Sequence, residues 1–150
     1  MLTNSIKVHF KKLRENAIMP RYMTDGAAGC DFYAALEHPV KLWPGKQAEI
    51  PFGIAIEIPD GYMLEIRSRS SYAIKYGLEV YHGVIDSDFR GELSAIIRNN
   101  GENAHIFYPG DRVAQGVFIE CTRVEFIESD ELSDTRRGDG GFGSTGNHIK

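Results

Sequence analysis

The chain has few cysteines, no long hydrophobic run and no excess of positive charge. Its 150 residues include two cysteines, Cys30 and Cys121, without Cys-x-x-Cys spacing, so neither a zinc site nor a disulfide framework is indicated. No apolar run is long enough for a transmembrane helix, so we expect no membrane partner. Residues 1–16 are polar, without the apolar stretch of a signal peptide, and we expect a cytoplasmic protein.

The charge and the missing motifs argue against several functional classes. The formal net charge is −4, with 17 Lys and Arg against 21 Asp and Glu, so no nucleic-acid partner is expected. The chain lacks the Gly-Lys-Ser/Thr of a P-loop. It also lacks the His-x-Glu and later Cys-x-x-Cys of zinc deaminases. Any phosphate binding must therefore be local, and arginines at 67, 69, 136 and 137 are the available cations.

Short apolar stretches separated by turn residues predict an all-β fold. Residues 6–10 alternate with period two, and residues 54–58 and 62–66 flank a Pro59-Asp60-Gly61 turn, which predicts a hairpin. Further strands are predicted at 93–98, 104–107 and 113–119. One short helix is predicted over 72–75, with Ser70 or Ser71 as the N-cap and Gly77 at its end.

The C-terminal segment is rich in glycine and cannot build a core. It reads Arg137-Gly-Asp-Gly-Gly-Phe-Gly-Ser-Thr-Gly146. Glycine loses much backbone freedom on ordering, so a disordered tail is one interpretation. The other is a ligand-binding arm, because Phe142 offers a stacking face and Arg137 a forked cation for phosphate. We divide the chain into a β-barrel domain at 1–136 and a flexible arm at 137–150.

Asp86 is the candidate catalytic carboxylate. It follows the β-branched pair Val84-Ile85, which places it at the end of a predicted buried strand. An aspartate in that position either caps a turn or acts as a base, and turn capping is the commoner role. Asp88 is the weaker candidate, because it lies later in the same loop and is expected to be exposed.

Five blocks, in order, resemble the motifs of the trimeric dUTP pyrophosphatase (dUTPase) family. They are Ala28-Gly29-Cys30-Asp31-Phe32; Arg69-Ser70-Ser71 with Ala73; Gly83-Val84-Ile85-Asp86 through Arg90-Gly91; Gly110-Asp111-Arg112-Val113-Ala114-Gln115; and Arg137-Gly138 through Gly141-Phe142-Gly143-Ser144-Thr145-Gly146. Each block alone is a weak signal, whereas five in register span nearly the whole chain. The resemblance implies a distorted jelly roll, or β-clip barrel, with one short helix.

The resemblance also implies an activity, which is hydrolysis of dUTP to dUMP and pyrophosphate by in-line attack of water on the α-phosphorus. Such an enzyme removes dUTP from the nucleotide pool and supplies dUMP for dTMP synthesis. Asp86 matches the carboxylate that activates the water, and Ser70 lies near the bridge that breaks. The substrate's phosphates are matched by Arg69, Ser70, Ser71 and Gln115. Mg²⁺ is expected on the phosphates and waters with no direct protein ligand, and Asp31 is expected to support it indirectly.

Base and sugar recognition are likewise implied by the resemblance. Uracil is read by the backbone of a β-hairpin at 80–83, which contains Tyr81, His82 and Gly83, and Phe89 lies under the deoxyribose. Phe142 covers the uracil when the arm closes. The remaining substrate contacts of the arm are Arg137, Gly143, Ser144 and Thr145. Family members are homotrimers that share active sites between subunits.

The chain departs from the commonest family pattern at several positions. Ser68 stands where Pro is frequent, Ser71-Tyr72 where Gly-Leu is common, Tyr81-His82 where small residues are common, and Gly116 where Leu is frequent. None removes a group that the mechanism needs, but together they affect the shape of the base pocket. The alternatives are a deoxycytidine-nucleotide deaminase of the same fold and a regulatory binding role of the kind known for some phage members.

Overall fold

The computed structural model describes residues 5–141, and the elements below are those of this part of the chain. The strands and the helix are β1 (His9–Lys12), β2 (Cys30–Tyr33), β3 (Val40–Leu42), β4 (Gln47–Pro51), β5 (Ile54–Glu57), β6 (Tyr62–Arg67), α1 (Ser70–Tyr76), β7 (Leu78–Val80), β8 (Gly83–Ile85), β9 (Ser94–Asn99), β10 (His105–Phe107) and β11 (Arg112–Glu120). The prediction of an all-β fold with one short helix is confirmed.

The strands form four antiparallel sheets. The largest has the order β2-β11-β6-β8, and a second has the order β4-β9-β7. Two smaller sheets pair β1 with β5 and β3 with β10. The long strand β11 pairs with both β2 and β6, and its register shifts at a bulge between Arg112 and Ala114. The sheet that contains β11 therefore brings the first, second and fourth sequence motifs side by side.

The core draws buried side chains from all four sheets. In β9, Ala95, Ile97 and Asn99 are buried while Ile96 and Arg98 are exposed, the alternation of a strand with one face inward. Asn99 is a polar residue in this core. Its Nδ2 donates hydrogen bonds to the carbonyl oxygens of Leu42, at 3.0 Å, and Asn103, at 2.9 Å, which offset the cost of its burial.

Two strand predictions are wrong in detail. Residues 54–58 and 62–66 do form strands on either side of a turn, but β5 pairs with β1 and β6 pairs with β11 and β8, so they do not form a hairpin. The first strand begins at His9 and not at residue 6, because its pairing with β5 starts at the His9–Glu57 pair. Ile6 and Val8 instead line a cavity of about 610 Å³ with Tyr62 and Phe118.

The predicted helix is present, but its predicted cap is wrong. Helix α1 includes both Ser70 and Ser71, and its N-cap is Arg69, with an extended backbone and no side-chain cap hydrogen bond. Gly77 ends the helix as predicted, at a φ of 66° that favours glycine, and its N–H donates to the carbonyl of Ala73. No helix in residues 5–141 is long and apolar enough to cross a membrane.

Gly116 departs from the family pattern for a packing reason. A Cβ at this position would lie 2.5 Å from the Phe32 ring and 2.7 Å from Leu64 Cδ1, both of which are fully buried. Phe32 packs in turn on Phe52, with ring centroids 4.9 Å apart. The large ring on β2 thus fills the space that a side chain on β11 would need, and glycine is required here.

Candidate active site

Asp31, Arg69 and Arg112 form an ion-pair cluster at one end of the largest sheet. Arg112 Nη1 donates to Asp31 Oδ2 at 3.2 Å, and Arg69 Nε lies 3.4 Å from Asp31 Oδ1. Arg69 Nη1 also donates to the carbonyl oxygen of Arg112 at 2.7 Å. Asp31 is 8% exposed, so its charge needs these partners. Two cations share one carboxylate, and the surplus positive charge can attract an anion.

Gln115 and Ser68 lie beside this cluster and fix the segment that carries Arg69. Gln115 Nε2 donates to the carbonyl oxygen of Ser68 at 2.8 Å, and Ser68 Oγ accepts from the N–H of Val80 at 2.7 Å. Gly29 permits this arrangement, because a Cβ there would lie 2.9 Å from Gln115 Oε1. A proline at 68 could not accept from Val80, so the serine links β6 to β7.

Ser70 and Ser71 follow Arg69 directly in the first turn of α1. Ser70 is exposed and Ser71 is half-buried. The Tyr72 N–H donates to the carbonyl of Arg69 at 3.0 Å, which closes the turn. The structure therefore brings together five of the predicted residues, namely Asp31, Arg69, Ser70, Ser71 and Gln115.

Asp86 lies in a separate turn after β8. The Phe89 N–H donates to the carbonyl of Asp86 at 3.2 Å, and both residues are exposed. The Asp86 side chain lines an open cleft of about 690 Å³ that also includes Asp60, Asp88 and Arg123. The prediction of a buried strand before Asp86 is wrong, because Val84 is exposed and its neighbours are half-buried. Phe89 packs over Gly91, where a Cβ would lie 2.5 Å from its ring.

The segment expected to read the base is a connection between two sheets and not a paired hairpin. Strand β7 pairs with β9, whereas β8 pairs with β6, so the strands on either side of Tyr81 and His82 diverge. The Tyr81 N–H donates to the carbonyl of Ile96 at 2.9 Å, and His82 Nδ1 lies 3.8 Å from Glu65 Oε1. Gly83 begins β8 and is half-buried.

The ion-pair cluster and Asp86 lie at opposite ends of the same sheet. Ile85, next to Asp86, pairs with Leu64, which in turn pairs with Phe118 of β11. Arg69 contacts Arg112, at the other end of β11. At roughly 3.3 Å per residue, Arg112 and Phe118 are on the order of 20 Å apart. A single chain therefore does not bring its own Asp86 to its own Arg69.

The C-terminal candidates are only partly described. Arg137 is exposed, and its Nε donates to the carbonyl of Gly140 at 2.8 Å within a turn. The predicted residues Phe142, Gly143, Ser144 and Thr145 lie outside the described residues. Within residues 5–141 there is no group of three or more His, Cys, Asp or Glu side chains that could hold a metal ion.

Sequence analysis missed two residues with a role in this arrangement. Arg112 was noted only as part of a motif, and Ser68 only as a departure from it. The ion pair of Arg112 and the hydrogen bond of Ser68 both join residues far apart in the chain. The available signal was that the fourth motif contains an arginine, Arg112, as the second contains Arg69. A buried carboxylate such as that of Asp31 needs cations of this kind.

Comparison with known proteins identifies the family of the chain. The dUTPase family model matches residues 15–146. The deoxyuridine 5'-triphosphate nucleotidohydrolase of Chlamydia muridarum is 45% identical over 140 residues, which covers 91% of this chain and 97% of the relative. The enzyme of the same name from Treponema denticola is 44% identical over 139 residues, with coverage of 91% and 96%.

Solved structures are similar as well. The dUTPase of Staphylococcus bacteriophage 80alpha with dUPNHPP superposes with a TM-score of 0.89 at 28% identity, covering 95% of this chain and 100% of the phage chain. A mutant dUTPase of phage phi11 of S. aureus, described with a structural Mg(II) ion, has a TM-score of 0.79 at 26% identity, with coverage of 85% and 99%. Fold and relatives together define an all-β nucleotidohydrolase. The chain belongs to the dUTPase family.

Proposed function

We propose that this chain hydrolyses dUTP to dUMP and pyrophosphate in a site shared between copies of a homotrimer. The family match and the relatives' names support the substrate. The observation that carries the shared site is the separation, on the order of 20 Å, between Asp86 and the ion-pair cluster on one chain. A second copy is needed to bring an Asp86 turn to the arginine cluster.

An exposed segment after β11 supports assembly. Phe126 is 94% exposed, Leu132 is 90% exposed and Ile127 is 81% exposed. Residues 121–141 have no strand or helix of their own. Large apolar side chains grouped on a segment without local packing mark a surface that another protein covers. In the proposed trimer, a neighbouring copy covers this segment.

The phosphates bind at the end of the sheet that carries Arg69. Arg69 contacts Asp31 through Nε and the carbonyl oxygen of Arg112 through Nη1. The third nitrogen of its guanidinium, Nη2, reaches the phosphate chain. Ser70 donates its exposed hydroxyl near the scissile bridge, Ser71 supports this turn, and Gln115 contacts the outer phosphates. Because Asp31 holds two arginines in place, the site binds a polyanion without rearranging.

Asp86 of a neighbouring copy orients the attacking water and accepts its proton. Its turn is exposed and opens into a cleft, so water has access. A positioned general base contributes about 10²–10⁴-fold to the rate. Phe89 lies on the same turn and packs under the deoxyribose, where a 2′-hydroxyl would meet its ring.

The segment with Tyr81, His82 and Gly83 recognises uracil through main-chain groups. The hydrogen bond from Tyr81 to Ile96 fixes one end of it, and pairing of Gly83 with Ile66 fixes the other. A backbone held at both ends presents donors and acceptors at set positions. A cytosine that left them unpaired would lose about 1–3 kcal/mol.

Mg²⁺ accompanies the substrate. When bound, it neutralises charge on the phosphate oxygens, which are the hard ligands that this ion prefers. Both oxygens of Asp31 are paired with arginines, which supports an indirect role for this residue. The arm at 137–150 is a unit separate from the barrel at 1–136. It covers the bound nucleotide through Phe142, with Arg137, Gly143, Ser144 and Thr145 on the phosphates.

The experiment that tests the function is a comparison of pyrophosphate release from dUTP, dCTP, dTTP and UTP with Mg²⁺. We expect strong preference for dUTP. Conversion of dCTP with ammonia release would indicate the deaminase instead. The shared site is tested by mixing Asp86→Asn chains with chains that end at Arg136. Restored activity in mixed trimers is expected, and mixtures that stay inactive although each parent binds dUMP would contradict it.

A further inference from the structure

Tyr72 lies between the phosphate-binding arginine and the core of the barrel. The Arg69 Cζ lies 5.6 Å from the centroid of the Tyr72 ring, within the range of a cation–π interaction. We propose that Tyr72 is a positioning residue, whose ring fixes the Arg69 guanidinium against the barrel and thereby sets the affinity for the triphosphate. This inference rests on the proposed function of Arg69.

The ring of Tyr72 is itself held by an aromatic cluster made of Tyr72, Tyr76, His105 and Phe107. Tyr72 packs on Tyr76, His105 and Phe107 with centroid distances of 5.8, 5.4 and 6.2 Å. His105 lies 4.7 Å from both Tyr76 and Phe107. Phe107 is fully buried, so the cluster connects α1 to the core.

The helix depends on this cluster for its position. It has seven residues and contains no buried residue, so its own hydrogen bonds are a weak anchor. Tyr72 and Tyr76 are one turn apart and face the same side, toward β10. Arg69 is the N-cap of this helix, and movement of α1 therefore moves its guanidinium relative to Asp31 and Arg112.

The remaining anchors of Arg69 do not make Tyr72 redundant. The Arg69 Nε to Asp31 distance is 3.4 Å, which is long for a charged hydrogen bond, and Arg112 contributes a single carbonyl. Neither of these two anchors is an aromatic ring. The Tyr72 ring adds a cation–π contact to Arg69. The leucine that is common in the family at this position cannot make such a contact.

The test compares Tyr72→Leu, Tyr72→Phe and Tyr76→Leu with the unchanged protein. Leucine fills the space without an aromatic face, and phenylalanine keeps the face without the hydroxyl. Tyr76→Leu removes a ring of the same cluster other than the one in cation–π contact with Arg69, and so reports the part of the effect that comes from the position of α1 alone. We expect Tyr72→Leu to raise KM for dUTP and Kd for dUPNHPP about two- to five-fold with kcat nearly unchanged. Tyr72→Phe should have a KM for dUTP and a Kd for dUPNHPP close to those of the unchanged protein.

Three outcomes would overturn the inference. They are a Tyr72→Leu protein with unchanged KM and Kd, a Tyr72→Phe protein as weak as the leucine variant, and an equal effect from Tyr76→Leu. If leucine unfolds the protein, Tyr72→Met takes its place and the same outcomes apply. If the unchanged protein releases no pyrophosphate from dUTP, the proposed function fails, while Kd for dUPNHPP still reports on Tyr72.

Discussion

Asp31 on β2 and Arg112 on β11 are paired across neighbouring strands, with Arg112 Nη1 3.2 Å from Asp31 Oδ2. The pair is asymmetric, because the Arg112 side chain is 42% exposed and that of Asp31 is 11% exposed. The carboxylate is therefore the member that depends on the pairing. Asp31 also pairs with Arg69, so the position of Arg69 in the proposed phosphate site depends on the same carboxylate.

Replacement of Asp31 by Asn should weaken both the fold and substrate binding. Two arginines would lose their shared counter-charge, and we expect a loss of about 1–3 kcal/mol in the free energy of unfolding. KM for dUTP should rise, because Arg69 is no longer held. Urea unfolding and steady-state kinetics measure the two effects. The exposed Asp130→Asn is the matched control, and an equal loss of stability there would contradict the prediction.

Replacement of Asp86 by Asn should remove turnover and spare the fold. The side chain is exposed, so the free energy of unfolding should stay within the error of the measurement. We expect kcat to fall about 10²–10⁴-fold, because the amide cannot accept a proton from water. Asp88→Asn, two residues later, is the control and should keep most of the activity. Full turnover in the Asp86 variant would refute the assigned base.

Gly116 and Phe32 should behave as a coupled pair. Gly116→Ala places a methyl 2.5 Å from the Phe32 ring, and we expect a destabilisation of about 1–3 kcal/mol. Phe32→Leu should relieve part of this loss in the double variant, because the smaller side chain leaves room on β2. A double-mutant cycle by urea unfolding measures the coupling. Strictly additive losses would mean that the two sites do not compete for the same space.

His105 should make the aromatic cluster sensitive to acid. Burial lowers the pKa of His105 from its ordinary value of 6.5, an effect that Asp111 partly offsets. Its Nε2 is buried without a hydrogen-bond partner among residues 5–141. Because the unfolded chain binds the proton more readily, stability falls as the pH drops below about 6.5 toward the lower folded pKa.

His105→Phe should remove this dependence while it keeps an aromatic ring in the cluster. The measurement is the free energy of unfolding in urea at pH 7.5 and pH 5. We expect the difference between the two pH values to be smaller in the variant than in the unchanged protein. His38→Phe changes an exposed histidine and serves as the control. An identical pH dependence in the His105 variant would show that another group is responsible.

The sequence predicted local features well and long-range partners poorly. The turn at Pro59-Asp60-Gly61 is set by residues within it, and it is present. Whether β5 and β6 pair depends instead on β1, β8 and β11, which compete for their edges. The assumption that strands adjacent in sequence pair failed there and again at Tyr81 and His82.

In the candidate site, too, local features were predicted and long-range contacts were not. Motif order identified Asp31, Arg69 and Gln115, and the structure brings them together. No local signal indicated that Ser70 and Ser71 would enter α1 and leave the cap to Arg69, because a serine before a helix normally caps it. The glycine at 116 became understandable only with the position of the Phe32 ring. The roles assigned to individual site residues stay predictions.

The distance between Asp86 and the arginine cluster has a consequence for the protein in dilute solution. In the proposed shared site, a solitary copy holds no complete set of reacting groups. Specific activity should therefore decline with dilution at concentrations where circular dichroism still reports a folded barrel. Under the proposed shared site, turnover requires assembled copies, and we expect activity to be lost before the native structure.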